Sequence, residues 1–97
     1  MISMIVKQFE LETAVTQNII LGGEMPLGFS VAELDGKLML WVQLEENYPG
    51  EFNLDVDVVA TDIPCETQGT FVGTAIMSSG DIWHVFAKKN YIKTEDL

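Results

Sequence analysis

The sequence predicts an all-β domain, an antiparallel β-sandwich or partly open small barrel of about six strands with little or no helix. Runs rich in β-branched and aromatic residues recur at intervals of roughly 8 to 15 residues, with turn residues between them. Within several runs, apolar and polar residues alternate with the period of two that marks a half-buried strand. No longer segment carries the i, i+3, i+4, i+7 apolar spacing of an amphipathic helix.

The first two predicted strands precede a connection that contains glycine and proline. Residues 2–11 are rich in β-branched and aromatic side chains, and residues 15–21 form a second apolar run. We expect Gly22, Gly23 and Pro26 to lie in a loop, because glycine and proline interrupt regular structure.

Residues 29–44 form the clearest element, a β-hairpin with Asp35 and Gly36 as its turn. This pair can adopt the positive φ angles of a two-residue type I′ turn. The turn fixes the antiparallel register, in which Leu34 faces Lys37 and each residue further out faces its counterpart.

The two faces of this hairpin differ in polarity, because side chains alternate along each strand. One face is assigned to the core and carries Phe29, Val31, Leu38, Leu40, Val42 and Leu44. The other face carries Ser30, Ala32, Met39, Trp41 and Gln43. This second face is too apolar for an ordinary solvated sheet face, so we expect other strands, a second subunit or a partner to cover it.

A half-buried strand is predicted next, between an acidic loop at residues 45–51 and an irregular crossing at residues 62–68. The strand covers residues 52–61. Its inward side chains are predicted to be Phe52, Leu54, Val56 and Val58, and its outward side chains Asn53, Asp55 and Asp57.

The chain then makes a second predicted hairpin from residues 70–77 and 82–88. A four-residue loop would place Ala75 opposite His84. Residues 90–97 have little apolar periodicity, so we expect them to be a tail that frays.

The composition restricts the partners of this single domain, residues 1–97. The chain carries 15 Asp and Glu against 5 Lys and no Arg, for a net charge of -10. Cation contacts supply most of the affinity for phosphate, so direct binding to nucleic acid or to an anionic membrane is not expected. The same charge favours approach to a basic protein surface.

The cysteine content and the start of the chain predict a cytoplasmic protein. Cys65 is the only cysteine, so no intrachain disulfide can form, which suits a reducing compartment. The first residues lack the pattern of a signal peptide, and no apolar stretch is long enough to span a bilayer.

The residue pattern does not predict catalysis, a metal site or a cofactor. An imidazole changes charge near neutral pH, but the predicted register offers His84 only Ala75 across the strand and places the Thr74 hydroxyl on the opposite face. Asp55 and Asp57 share one strand face about 7 Å apart at Cα, which glycosidases and hard cations can use. Alternating charge on a solvated strand is the more ordinary reason for this spacing.

Three aromatic residues leave two interpretations open. Trp41 and Trp83 would ordinarily fill the centre of the sandwich core. Amphipathic aromatics such as Trp41 and Tyr48 are also enriched at interface hot spots, and Met39 shares the hairpin face with Trp41.

Several short motifs of the chain occur together in one known family. They are Phe71-Val72-Gly73-Thr74 followed by Ile82-Trp83-His84-Val85-Phe86, and also Lys7-Gln8-Phe9, Leu40-Trp41 and Thr61-x-x-Pro64. Together they resemble a family of small uncharacterised domains, found mostly in bacteriophages and prophages, with a closing GT…WHVF hairpin. Asp62 stands where that family's glycine is expected, which weakens any shared ligand site at this loop. The resemblance implies a viral accessory role in the host cytoplasm and assigns no catalytic residue.

The leading hypothesis is a non-catalytic phage or prophage accessory protein that inhibits a host defence or regulatory protein by binding its basic surface. Charged and apolar side chains are both expected to contact this partner. The predicted partner-binding residues are Met39, Trp41, Tyr48, Glu45, Glu46, Glu51, Asp55 and Asp57.

Two alternative functions and a prediction of self-association accompany the leading hypothesis. The first alternative is an oligomeric sponge for a nucleotide signal, with aromatic stacking and lysine contacts to phosphate. Its ligand-binding residues would be Trp83, His84, Lys37, Lys88 and Lys89. The second alternative is an enzyme that uses His84 with Asp81 or Asp62. We also expect a homodimer, because an all-β chain of this size with two apolar hairpin faces has surface left to cover.

Overall fold

Two antiparallel sheets pack face to face in the computed structural model, which describes residues 3–92. The first sheet contains β1 (Met4–Glu10), β4 (Lys37–Glu45) and β3 (Met25–Leu34), hydrogen-bonded in that order. The second sheet contains β2 (Thr16–Gly22), β5 (Glu51–Ala60), β7 (Ile82–Ile92) and β6 (Thr70–Ile76), also in spatial order. The predicted all-β sandwich is confirmed, with seven strands in the part of the chain that the structure describes. The described residues contain no helix with the length and hydropathy needed to cross a bilayer.

The core lies between the sheets and is built mainly from the inward side chains of β4 and β5. These are Leu38, Leu40, Val42 and Leu44 from β4, and Phe52, Leu54, Val56 and Val58 from β5, none more than 4% exposed. Phe29 and Val31 of β3 are half-buried and pack against this cluster. The predicted core faces are therefore confirmed, because the period of two continues without a break through both central strands.

The first hairpin has the predicted turn and register. Asp35 and Gly36 adopt φ angles of 52° and 79°, as a two-residue type I′ turn requires. Leu34 pairs with Lys37, and each residue further from the turn pairs with its predicted counterpart on the other strand.

The predicted loop before this hairpin is wrong in part, because it is shorter than expected. Gly22 ends β2 and Pro26 lies within β3, so only residues 23–24 connect the two strands. Pro26 is tolerated because β3 is an edge strand and its register shifts between Pro26 and Gly28, where the ladder is interrupted.

The predicted register of the second hairpin is wrong by one residue. Thr74, and not Ala75, faces His84. The connecting loop runs from residue 77 to residue 81, one residue longer than predicted, and the backbone N–H of Met77 donates to the carbonyl of Asp81 at 2.8 Å. A shift of one residue exchanges the two faces of a strand, so Thr74 shares a face with His84.

The predicted ends of the later elements also need one correction. The acidic loop and the irregular crossing are confirmed as residues 46–50 and 61–69. The predicted tail is wrong for residues 90–92, because β7 continues to Ile92, which pairs with Glu51. Residues 93–97 of that tail lie outside the described residues, as does Ile2 of the first predicted strand.

Candidate partner-binding faces

The outer face of the four-stranded sheet, called the anchor face below, holds Asp55 in a fixed position. Asn18 Nδ2 on β2 donates to Asp55 Oδ1 at 2.9 Å, and Asn90 Nδ2 on β7 donates to Asp55 Oδ2 at 2.8 Å. These bonds from Asn18 and Asn90, with a smaller contribution from the Lys88 charge, hold the pKa of the Asp55 carboxyl below its ordinary value against a small opposing effect of desolvation. Asp55 is therefore ionised and oriented at neutral pH.

Asp57 is held in the same manner, two residues further along β5. The hydroxyls of Thr16 on β2 and Thr67 in the crossing segment each donate to one of its carboxylate oxygens. Thr67 Oγ1 also accepts a hydrogen bond from the backbone N–H of Gly69 at 3.0 Å. The bond from Thr67 to Asp57 therefore joins a locally ordered part of the crossing segment to β5. The prediction that Asp55 and Asp57 share a strand face is confirmed.

A shallow polar groove runs between the crossing segment and β5. Its lining residues are Thr16, Asp55, Asp57, Glu66, Thr67, Gln68, Gly69 and Lys88. Lys88 Nζ donates to Gln68 Oε1 at 2.8 Å. The groove carries three carboxylates against one ammonium group, so it favours cations over anions.

Aromatic residues occupy the other half of the anchor face. Phe71 on β6 and Phe86 on β7 are cross-strand neighbours with ring centroids 5.4 Å apart in an edge-to-face arrangement. Phe71 is 54% exposed, although it is a large apolar side chain. Phe86 in turn lies directly opposite Asp57 on β5.

One row of side chains therefore crosses all four strands of the sheet. This row, called the anchor row below, consists of Thr16, Asp57, Phe86 and Phe71, one residue from each strand. Directly opposed residues of antiparallel strands have Cβ atoms about 4.5 to 5.5 Å apart. A carboxylate and an aromatic pair are thus presented side by side on one surface.

His84 lies in the next row of the same face, between two threonine hydroxyls. Its Nδ1 is 2.8 Å from Thr74 Oγ1, and its Nε2 is 2.8 Å from Thr61 Oγ1. The prediction that Thr74 lies on the face opposite to His84 is wrong, because it rested on the shifted register of the second hairpin. Neither Asp62 nor Asp81 is among the hydrogen-bond partners of His84 in residues 3–92.

The outer face of the three-stranded sheet, called the tryptophan face below, has a different character. Trp41 is half-buried at the middle of β4, and Met39 beside it is 7% exposed. The predicted grouping of Trp41 with Ser30, Ala32, Met39 and Gln43 on one face is confirmed. The prediction that Trp41 fills the core is wrong, since its strand points Leu40 and Val42 inward and Trp41 outward.

The eight predicted partner-binding residues do not form one surface. Met39, Trp41 and Glu45 lie on the tryptophan face, whereas Glu51, Asp55 and Asp57 lie on the anchor face, across the sandwich. The other two belong to the connection between β4 and β5. Glu46 accepts a hydrogen bond from Ser3 Oγ at 2.8 Å, and Tyr48 is half-buried in edge-to-face contact with Phe52.

The five residues predicted to bind a nucleotide do not converge either. Lys37 lies on the tryptophan face, and His84 and Lys88 lie on the anchor face. Trp83 and Lys89 share the inward side of β7, where Trp83 packs against the core as predicted and Lys89 is exposed near the strand end.

The sequence reasoning missed Phe71 and Phe86 as surface residues. Phe86 has the same parity in β7 as His84 and Lys88, so strand alternation alone could have placed it outward. Phe71 could not be placed in this way, because the register shifts between Phe71 and Gly73 and changes its phase relative to the rest of β6.

The chain was compared with known families, curated proteins and solved structures. A family described as a domain of unknown function (DUF7352) matches residues 3–95. Neither the curated proteins nor the solved structures contain a match to the chain. The family match thus covers the described sandwich in full.

Proposed function

The chain belongs to the DUF7352 family of domains of unknown function, and from this premise we propose that it acts by binding a protein with a basic surface. The observation that carries the proposal is the anchor row, in which Asp57 lies beside an aromatic pair made of half-buried Phe86 and exposed Phe71. This arrangement offers a negative charge and a ring face to the same incoming side chain.

Arginine is the side chain that best fits such a row. Its planar guanidinium can form a bidentate hydrogen bond with a carboxylate while it stacks on an aromatic face. A carboxylate has about four acceptor sites, and Thr16 and Thr67 occupy two of those on Asp57. A partner's arginine could therefore bind Asp57 through its guanidinium and lie along the neighbouring Phe86–Phe71 pair without breaking the existing hydrogen bonds.

The network around Asp55 and Asp57 reduces the entropic cost of binding. Both carboxylates are already oriented by side chains from neighbouring strands and, for Asp57, from the crossing segment, so little side-chain freedom remains to be lost when a partner arrives. The net charge of -10 adds long-range attraction to a basic protein and raises the rate of encounter.

The resemblance to phage and prophage domains extends this proposal to a biological role. We place the chain as an accessory protein that inhibits a host defence or regulatory protein in the host cytoplasm. Its carboxylates would occupy a basic site on that protein, one that otherwise holds nucleic acid. The acidic face suits this competition because phosphate-binding sites are rich in arginine and lysine.

The test is capture of a partner from bacterial lysate followed by measurement with purified proteins. We expect the immobilised wild-type chain to retain a basic protein at about 50 mM salt and to release it at about 500 mM, because screening weakens exposed charge pairs. With that protein purified, Asp57→Asn and Phe71→Ser should each raise the dissociation constant about tenfold or more, as measured by calorimetry.

Matched variants separate this site from a general effect of charge or hydrophobicity. Glu12→Gln removes one exposed carboxylate in the loop after β1, and Ile20→Ser removes a side chain that is 79% exposed at the far end of the same sheet face. Both should bind as wild type. Retention of no protein at low salt, or equal affinity for all four variants, would refute the proposal.

A further inference from the structure

The tryptophan face is apolar and nearly neutral in an otherwise strongly acidic chain. Within residues 3–92, its strands direct Glu10, Lys37 and Glu45 outward on this side, so two carboxylates and one ammonium group give the described face a net charge of -1. The whole chain carries -10. A basic partner is therefore attracted to other surfaces, and this face suits a partner that brings little charge of its own sign to the contact.

Large apolar side chains lie open on this face. Val6 on β1 is 61% exposed, and Leu34 on β3 is 44% exposed. Trp41 lies between these two strands and borders a shallow depression. Gly28 borders the other side of the depression and has no side chain to fill it. Tryptophan beside such a depression is a typical anchor of a protein–protein interface.

The charges along β4 are arranged so that the face complements itself. Lys37 and Glu45 point outward from opposite ends of the strand, and each is four residues from Trp41, which corresponds to about 13 Å. A two-fold axis that lies over Trp41, perpendicular to the strand and within the contact plane, places two copies of β4 antiparallel to each other. Lys37 of each copy then lies over Glu45 of the other.

From this self-complementarity we infer that the tryptophan face binds a second copy of the chain, with Trp41 at the centre and two Lys37–Glu45 ion pairs at the ends. Packed sheets cross at about 30°, which displaces strand ends that lie 13 Å from the axis by about 7 Å. The Lys37 side chain forms an exposed ion pair with Glu10 of its own chain at 3.7 Å, and it is long enough to reach across that displacement as well. This inference is independent of the proposed function, because the anchor row lies on the opposite side of the sandwich.

The size of the face sets the strength of this dimer. The nine residues of β4 give a length of about 30 Å, and three strands give a width of about 14 Å. Roughly 400 Å² per copy is below the standard interface of about 800 Å² per partner. We therefore expect a weak, reversible dimer whose population rises across the micromolar range.

Charge exchange at the two ends tests the geometry. Sedimentation velocity on the wild-type chain from about 5 to about 500 μM should show a monomer–dimer equilibrium. Lys37→Glu and Glu45→Lys should each weaken self-association about tenfold, because both ion pairs become like-charge contacts. An equimolar mixture of the two single variants should form a heterodimer as strong as the wild-type dimer, and the double variant should recover self-association.

The controls change the same charges away from the face. Lys89→Glu and Glu12→Lys alter net charge equally but should leave the dimer intact. The inference is overturned if the wild-type chain is monomeric at every concentration, or if the mixed single variants associate no better than each alone. Loss of a lysate protein on Trp41→Ser, with the wild-type chain monomeric, would assign the face to a different protein and also overturn it. Lys37→Glu should leave capture by the anchor face unchanged, so the two proposals fail separately.

Discussion

Asp55 and Trp41 occupy comparable places, each at the middle of an interior strand and each directed to solvent, yet their surroundings are opposite. Asp55 receives hydrogen bonds from Asn18 and Asn90 on the two neighbouring strands. Trp41 has Gln8 and Ser30 as its cross-strand neighbours. The anchor face is therefore organised by directional bonds before any partner arrives, whereas the tryptophan face offers area and shape.

This difference indicates what each face can discriminate. Hydrogen-bonded carboxylates with fixed orientation select a partner by charge and geometry, since a misplaced cation leaves them incompletely paired. An apolar face with few charges selects by complementarity of shape and tolerates small shifts. We therefore place recognition of a foreign protein on the first face and self-association on the second.

The largest expected effect is a difference in stability: substitutions on the inner faces of the two sheets should cost more than substitutions on the outer faces. Leu40 and Leu54 are fully buried on β4 and β5, and truncation of either to alanine should lower the free energy of unfolding by about 2 to 5 kcal/mol. Val6→Ser, which alters an exposed side chain, should cost about 0.5 kcal/mol or less, and Phe71→Ser, which also loses the contact with Phe86, about 1 kcal/mol. Urea denaturation of dilute samples measures all four.

The comparison fails if the exposed substitutions are as costly as the buried ones. Such a result would mean that the outer faces are parts of the folded core and not surfaces kept for binding. Dilute samples are needed for Val6→Ser, because dimerisation stabilises the folded state by mass action and would add to the apparent cost.

A second, smaller effect should distinguish the two outer faces from each other. Asn90 is partly buried and donates to both Asn53 Oδ1 and Asp55 Oδ2. Asn90→Ala should cost about 1 to 2 kcal/mol of unfolding free energy, because two hydrogen bonds are lost and one of them goes to a charged acceptor. Gln8→Ala, a polar truncation beside Trp41, should change stability by about 0.5 kcal/mol or less. Equal costs would show that the anchor face is not preorganised.

The sequence predicts the first hairpin correctly but not the second, and the turns explain why. Asp35 and Gly36 must take positive φ angles, so the turn has only one place to form. The loop at residues 77–81 offers several polar residues and a glycine that fit loops of different length. A choice that differs by one residue then moves Thr74 to the wrong face.

The candidate site divides in the same way between local and non-local information. The spacing of Asp55 and Asp57 places them on one strand face from sequence alone. Their partners Asn18 and Asn90 come from β2 and β7, which neighbour β5 only through the spatial order of the sheet. Strand order depends on long-range packing, which period and turn signals do not encode. Because strand order cannot be predicted in this way, the prediction places Trp41 and Asp55 on one surface, although both sheets of the sandwich lie between them.

The smallest expected effect concerns acid stability, and it tests whether the anchor face holds its charge. Hydrogen bonds from Asn18 and then Asn90 hold the pKa of the Asp55 carboxyl below its ordinary value of about 3.9. A carboxyl with a lowered folded-state pKa contributes stability that is fully present above its unfolded-state pKa and is lost as the pH falls through the folded-state pKa. The melting temperature of Asp55→Asn should therefore lie below that of the wild type at neutral pH and converge with it below about pH 4. Removal of one donor, in Asn18→Ala, should raise the pKa of Asp55 towards its ordinary value, measured by the NMR titration of its carboxyl carbon. The effect is small because water still screens this half-exposed carboxylate, but its direction is decisive. If the carboxyl titrates in the wild type as it does in Asn18→Ala, the neighbouring strands do not orient it. The two outer faces would then differ only in composition.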